Sequence, residues 1–208
     1  PSSDATTLAG KVLAALTAPF EIDAQEVHVS TSFGVTLSPP DKGDAEMLLR
    51  HADLALHHAK TGRRSWFRFF EPVMEAEACA RRQLEQELRR ALERGEFVLH
   101  YQPQLDLTSG RFIGAEALVR WLHPKRGLVA PGEFVPLAEA TGLIRPLGTW
   151  VLQEACRQAA AWRAAGLALT VAVNLSPVEL RHGEGSLPRI GRALKRAGLA
   201  PAELELEL

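Results

Sequence analysis

The sequence predicts an α/β chain built in two parts, on three observations. Beyond residue 112, strand patterns alternate with helix patterns, which argues a parallel sheet and, at this repeat length, a (β/α) barrel. Before residue 71 the pattern is α, β, α, β, too little to cover a sheet on both faces. Between them, Glu71 to Arg94 is a long run of Ala, Glu, Arg, Gln and Leu, the strongest helix formers. The 208 residues suffice for one large domain or two small ones.

Taken in order, Thr6 to Leu16 reads as a helix with Leu8, Val12, Leu13 and Leu16 on one face, ended by Pro19. His28 to Leu37 alternates and is rich in Val, Thr and Ser, so it reads as a strand, and Gly34 within it points to a close backbone approach. Residues 39–44 form a turn, and Asp44 caps a helix to about Lys60 with Leu48, Ala52, Ala55 and Ala59 as its apolar face, joined by Leu49 and Leu56. Trp66 to Phe70 is a short aromatic strand. In the long central helix Leu84, Leu88 and Leu92 make an i, i+4, i+8 stripe, Glu85 and Arg89 are spaced to pair, and Gly95 stops it.

In the second part Phe97 to Leu105 is a strand, Thr108-Ser109-Gly110 a turn, and Phe112 to Leu122 a strand that must run antiparallel to it. Residues 124–131 read as a Gly/Pro loop. Helices follow from Pro131 to about Thr141 and from about Pro146 to Ala165, then a strand from Leu169 to Leu175, a helix from Pro188 to Ala197 and a strand from Leu204 to Leu208.

The Phe112 strand carries the first chemical signal. Strand side chains alternate, so Ile113, Ala115, Ala117, Val119 and Trp121 share one face and Gly114, Glu116, Leu118 and Arg120 the other. Glu116 and Arg120 then point the same way, about 13–14 Å apart by strand rise. A metal ion at the acid and an anionic ligand reaching the arginine would fit such a buried pair. An exposed edge strand with ordinary surface charges accounts for it equally well. Barrel chemistry sits at the C-terminal ends of strands. There Asn174 closes one strand, and Glu203, Glu205 and Glu207 share a face of the last. Singly, Asn174 reads as a helix cap and the glutamates as a solvent face. Together, Glu116, Asn174 and Glu207 supply only oxygen, which suits Mg²⁺, Mn²⁺ or Ca²⁺ rather than zinc.

Composition narrows the classes. Lys and Arg number 24 against 25 Asp and Glu, a net charge of -1, which gives no support to a polyanion-binding surface. Hydrophobic residues at 46% permit a packed core. Cys79 and Cys156 form no metal or disulfide pattern, which suits a reducing cytoplasm. Neither a membrane-length apolar run nor a signal-peptide pattern is present in this sequence. The chain stops inside an apparent strand, so a fragment is expected.

Ser32-Phe33-Gly34-Val35, Asp44 to Leu49, Ala52 to Leu56, Ala59-Lys60 and Phe69-Phe70 resemble the C-terminal third of a GGDEF domain, a family that makes cyclic di-GMP from GTP on a ferredoxin-like sheet. Lys60 and Arg64 match that family's basic pair by position, with Arg63 where its glycine is usual. The family's namesake loop is not among these residues. The resemblance therefore implies no cyclase activity from this chain, and the two cations read as a helix end favoured by the macrodipole.

From about Gln83 onward the resemblance is to an EAL domain, the phosphodiesterase that opens cyclic di-GMP to linear pGpG. It rests on Tyr101-Gln102-Pro103, Glu116-Ala117-Leu118-Val119-Arg120-Trp121, Phe134 to Glu139 with Gly142-Leu143-Ile144, Val173-Asn174-Leu175-Ser176 and Leu204 to Glu207, in family order. It implies a modified TIM (β/α)8 barrel with an antiparallel first strand, of which about the first half is here. The resulting division is residues 1–71 as the GGDEF remnant, 72–94 as a connecting helix and 95–208 as the EAL part. By position Glu116, Asn174 and Glu207 look like catalytic metal ligands. Arg120 and Leu118 look like contacts to the dinucleotide, and Gln102 and Glu139 like pocket residues, while His100 reads as packing. The resemblance further implies Mg²⁺ or Mn²⁺, two ions in the complete site, cyclic di-GMP as ligand, and room for a homodimer through the EAL part. The expected function is cyclic di-GMP phosphodiesterase in the parent protein, with this stretch itself inactive. The alternative is a receptor that binds the nucleotide without cutting it.

Overall fold

The computed structural model describes residues 3–29, 31–38, 44–61, 67–181 and 186–208. The chain divides into two compact units, Pro1–Arg82 and Gln83–Leu208.

In the first unit, helix α1 spans Ser3–Thr17 and buries none of its residues; Leu8 and Val12 of the expected stripe stand exposed. A hairpin that the sequence did not announce follows, with β1 (Phe20–Ile22) paired antiparallel to β2 (Gln25–Val27). Its turn residues, Asp23 and Ala24, both take positive φ, the backbone a two-residue hairpin requires. The strand expected over His28 to Leu37 shrinks to β3 (Phe33–Val35), and His28 and Val29 are exposed outside any strand.

Helix α2 (Ala45–Thr61) then crosses to β4 (Phe67–Phe69), which lies parallel to β3. Asp44 caps it as expected, its Oδ1 accepting the Met47 N–H at 2.9 Å. Ala55 and Ala59 are buried, whereas Leu49 points outward. Gly34 packs its bare backbone on α2: a Cβ there would overlap the Ala52 carbonyl and the Leu56 N–H. Lys60 is exposed in the last turn of α2, while Arg63, Arg64, Trp66 and the turn at 39–43 lie outside the described residues.

Helix α3 (Pro72–Arg94) runs across the boundary between the units. Leu88 and Ala91 are fully buried in the second unit's core, with Leu84 and Leu92 packed beside them. Glu85 and Arg89 pair at 3.5 Å, and Gly95 ends the helix at φ 66°.

The second unit opens with β5 (Phe97–Asp106) and β6 (Arg111–His123), antiparallel in register from Phe97 opposite Trp121 to Asp106 opposite Arg111. Asp106 organises their turn. Its carboxylate accepts the Ser109 hydroxyl at 2.6 Å and the Thr108 N–H at 2.9 Å, and these hold its carboxyl below the usual range. The expected Gly/Pro loop contains a short strand, β7 (Gly127–Val129), paired to the end of β6. Helices α4 (Pro131–Thr141) and α5 (Ile144–Ala164) follow, separated by Gly142 at φ 76°. Then come β8 (Thr170–Asn174), α6 (Pro177–Arg181), α7 (Ser186–Ala197), a 3₁₀ turn (Pro201–Glu203) and β9 (Leu204–Glu207).

The sheet order is β5-β6-β8-β9, with β7 on β6; β6, β8 and β9 run parallel. This is the opening part of a (β/α) barrel whose first strand is reversed. Its core gathers Phe97, Trp121 and Phe134, with ring centroids 5.7–5.9 Å apart, under Leu147, Leu152 and Cys156. Ala115, Ala117 and Trp121 of the expected apolar face are buried, whereas Phe112 and Ile113 at the start of β6 are exposed.

Two measurements check this packing. Gly34→Ala is expected to lower stability by about 1–3 kcal/mol in urea titration, because α2 must move away from β3. The thiol of fully buried Cys156 is pushed up to about 11 by burial, while Cys79 is exposed. Ellman's reagent at neutral pH is therefore expected to titrate Cys79 in the folded chain and Cys156 only after denaturation.

Candidate functional site

Parallel strands bring their C-terminal ends to one edge of the sheet, and the polar residues gather there. Asn174 is the last residue of β8 and lies opposite Glu207 on β9. Its Nδ2 donates to Glu116 Oε1 of β6 at 2.6 Å. The backbone pins the same corner, with the Leu175 N–H donating to the Glu207 carbonyl at 2.8 Å. Three adjacent strands thus place Glu116, Asn174 and Glu207 side by side. Gly114 lets them close up: a Cβ there would sit 2.7 Å from both the Thr170 carbonyl and the Gln104 side chain.

The remaining sequence-predicted residues surround this trio unevenly. Gln102 lies on β5 directly opposite Glu116 and is exposed. Leu118 and Arg120 continue along β6, both half-buried. Arg120 Nη1 donates to the Val119 carbonyl at 2.9 Å, and among the described residues its guanidinium meets no carboxylate within salt-bridge distance. Glu139 comes from α4 and accepts the Ser176 hydroxyl at 2.7 Å. Leu118, Glu139, Asn174 and Ser176 line a cavity of about 400 Å³ walled by Val135 and Leu147. Gln102, Glu116, Arg120 and Glu207 lie outside that lining.

Two expectations are corrected. Glu203 does not share a strand face with Glu205 and Glu207. It sits in the 3₁₀ turn, where its carboxylate accepts the Ala200 N–H at 2.7 Å and pairs with Arg163 at 3.0 Å. His100 is exposed rather than packed. The structure also adds residues that periodicity did not single out. Ser176 binds Glu139 and, through the same oxygen, accepts the Val178 N–H at 3.1 Å, capping α6. Glu179, in the first turn of α6, is buried and pairs with Arg189 at 2.7 Å. The Ser176-Pro177 step was a readable cap signal; nothing local distinguished Glu179 from a solvent-facing first-turn acid.

Among the described residues no three His, Cys, Asp or Glu side chains cluster as a metal site. The trio nonetheless fits a hard divalent cation. Its donors are two carboxylates and an amide, all able to offer oxygen. The Asn174 amide already lies against a carboxylate, and it can present its oxygen to a cation by turning over.

The EAL domain family matches residues 85–208. This chain belongs to that family. The diguanylate cyclase GGDEF domain matches residues 2–65, so the order is GGDEF followed by EAL. The chain is 45% identical over 207 residues to the bifunctional diguanylate cyclase/cyclic di-GMP phosphodiesterase MucR of Pseudomonas aeruginosa, covering 99% of this chain and 30% of that protein. It is 43% identical over 173 residues to the cyclic di-GMP phosphodiesterase PdeR of Escherichia coli, covering 83% of this chain and 26% of that protein. The chain therefore spans less than a third of the length of these curated relatives. A solved MucR phosphodiesterase in complex with c-di-GMP matches with TM-score 0.59 and 50% identity, over 61% of this chain and 51% of that one. A Vibrio cholerae LapD S helix-GGDEF-EAL structure has the same fold over 99% of this chain and 47% of that one, with TM-score 0.50 at 16% identity. The EAL fold so identified accounts for the reversed first strand.

The Ser176 hydroxyl is the joint between α4 and α6. Ser176→Ala is expected to lower stability by about 1–2 kcal/mol in chemical denaturation, since it removes a helix cap and a bond to a carboxylate together.

Proposed function

We propose that the protein is a cyclic di-GMP phosphodiesterase that holds Mg²⁺ or Mn²⁺ on Glu116, Asn174 and Glu207. The observation that carries this reading is the Asn174–Glu116 hydrogen bond beside Glu207, which gathers three oxygen donors from three neighbouring strands at the catalytic end of the fold. Relatives named as cyclic di-GMP phosphodiesterases, and a solved relative in complex with c-di-GMP, support the substrate.

When bound, divalent ions supply Lewis acidity and positive charge against the phosphodiester. The chain's own residues do the rest. Arg120, with no carboxylate partner among the described residues, holds a phosphate oxygen through its guanidinium fork. Leu118 and Glu139 line the cavity against the dinucleotide, and Gln102, on β5 opposite Glu116, reaches it from outside that lining. Water adds to one phosphorus and the P–O3′ bond breaks. The leaving oxygen takes a proton, and the ring opens to pGpG.

Residues 1–71 are assigned to the GGDEF part, 72–94 to the connecting helix and 95–208 to the EAL part. The 208 residues hold only part of a two-ion shell, so we expect this chain to be inactive while its parent turns over, with the parent's EAL part free to form a homodimer. A cytoplasmic site of action suits a nucleotide substrate. Among the described residues no helix is long and apolar enough to cross a membrane.

The test is chromatographic detection of pGpG from cyclic di-GMP with Mn²⁺, for this chain and for the full-length protein. The full-length protein is expected to be active, and Glu116→Ala to lower its rate by at least about 100-fold. Binding of cyclic di-GMP by the full-length protein without any pGpG would replace this reading with that of a receptor.

A further inference from the structure

We propose that the buried Glu179–Arg189 ion pair is a positioning device that sets where Asn174 and Glu139 stand. The proposal rests on the reading of Asn174 and Glu139 as site residues. Neither member of the pair is asked to touch the reacting atoms.

Glu179 is a surface-type residue in a core position. Its side chain is 2% exposed and that of Arg189 12%. A carboxylate so far from water requires a partner, and it has one in Arg189 Nη1 of α7 at 2.7 Å. The same nitrogen reaches α5, donating to the Arg145 carbonyl at 3.3 Å and the Thr149 hydroxyl at 3.4 Å. Glycine at 148 makes the room: a Cβ on that turn of α5 would overlap the Glu179 carboxylate. Three helices thus converge on one acid.

The other carboxylate oxygen of Glu179 faces the β8–α6 loop and accepts the Ser176 N–H at 3.3 Å. Ser176 lies two residues after Asn174, and its hydroxyl donates to Glu139 at 2.7 Å. One residue is therefore held from below by Glu179 and holds Glu139 above. Asn174 is fixed on its other side by the strand pairing with β9. A shift of Ser176 is transmitted directly to the end of β8 and to the carboxylate of α4. Removing one charge of the pair leaves the other buried and uncompensated, and the loop must move to hydrate it. Removing both charges lifts that demand.

The experiment uses full-length protein below its melting temperature, with folding checked by circular dichroism. It measures Mn²⁺ binding by electron paramagnetic resonance without nucleotide, and cyclic di-GMP binding by calorimetry in EDTA. Glu179→Gln is expected to weaken both affinities about tenfold. The double variant Glu179→Gln with Arg189→Met is expected to return both to within about threefold of wild type. Should Glu179→Gln fail to fold, Arg189→Lys carries the same expected loss, because it keeps a charge but replaces the Nη1 that reaches both Glu179 and α5 with a shorter ammonium. A folded single variant with wild-type affinities, or a double variant as impaired as the single, overturns the positioning role. Wild-type protein that binds both ligands without making pGpG fails the proposed activity and leaves this comparison intact. Wild-type protein that binds neither ligand overturns both.

Discussion

Strand β6 has to satisfy two environments at once, and the rest of the second unit depends on its doing so. One face is closed by helices and carries Ala115, Ala117 and Trp121. The other is half-open and carries Glu116, Leu118 and Arg120. A slip of one residue in register would bury the charges and expose the tryptophan. The strand is therefore tied at its far end. Trp121 Nε1 donates to Glu96 at 3.1 Å, and buried His123 lies 3.2 Å from Glu87 of α3. His123 Nδ1 accepts the N–H groups of Lys125 and Arg126, which places its proton on Nε2, facing Glu87. The Gln83 amide first, and His123 next, hold the Glu87 carboxyl below its usual range. The last turns of α3 are in this way part of the barrel floor.

With β6 fixed, the neighbouring strands inherit their positions from its backbone pairing. Glu116 faces Ala172 on β8, and Asn174 faces Glu207 on β9. Contact between Asn174 and Glu116 needs no loop to fold over it, so the polar edge is built on paired strands. The helical layer adds Glu139 and the Glu179–Arg189 pair from the other side. Their hydrogen bonds converge on Ser176, making that residue the junction between the strand-borne and helix-borne halves of the pocket.

Much of this was legible in the residues because it depended on local repeats. The period-2 pattern of β6 placed Glu116 and Arg120 on one face, Asp44 announced the start of α2, and the Leu84, Leu88, Leu92 stripe announced the buried side of α3. Gly34 inside an alternating run signalled a close approach, and α2 supplies the approaching backbone. The failures share a cause as well. The β1–β2 hairpin turns on Asp23 and Ala24, where no glycine marks the positive φ. Glu203 fitted the alternation of β9, yet Pro201 starts a 3₁₀ turn that takes it off the strand and toward Arg163. Leu49 fitted the face of α2 and is exposed because no element packs on that flank among the described residues.

The α/β class, the reversed first strand, the long helix between the two parts and the polar residues that the strands carry were readable along the chain. Those follow from side-chain periodicity and turn chemistry, which act over a few residues. Which of those polar residues meet was settled by packing between distant parts of the chain. That packing put Asn174 against Glu116, residues 58 positions apart in the chain, and left Arg120 and Gln102 off the cavity that Leu118 and Glu139 line. It also turned Glu179 from an apparent surface acid into a buried ion pair. Such contacts are set by the register between strands and by the packing of α5, α6 and α7 around one carboxylate. Neither is encoded in any stretch short enough to carry a pattern.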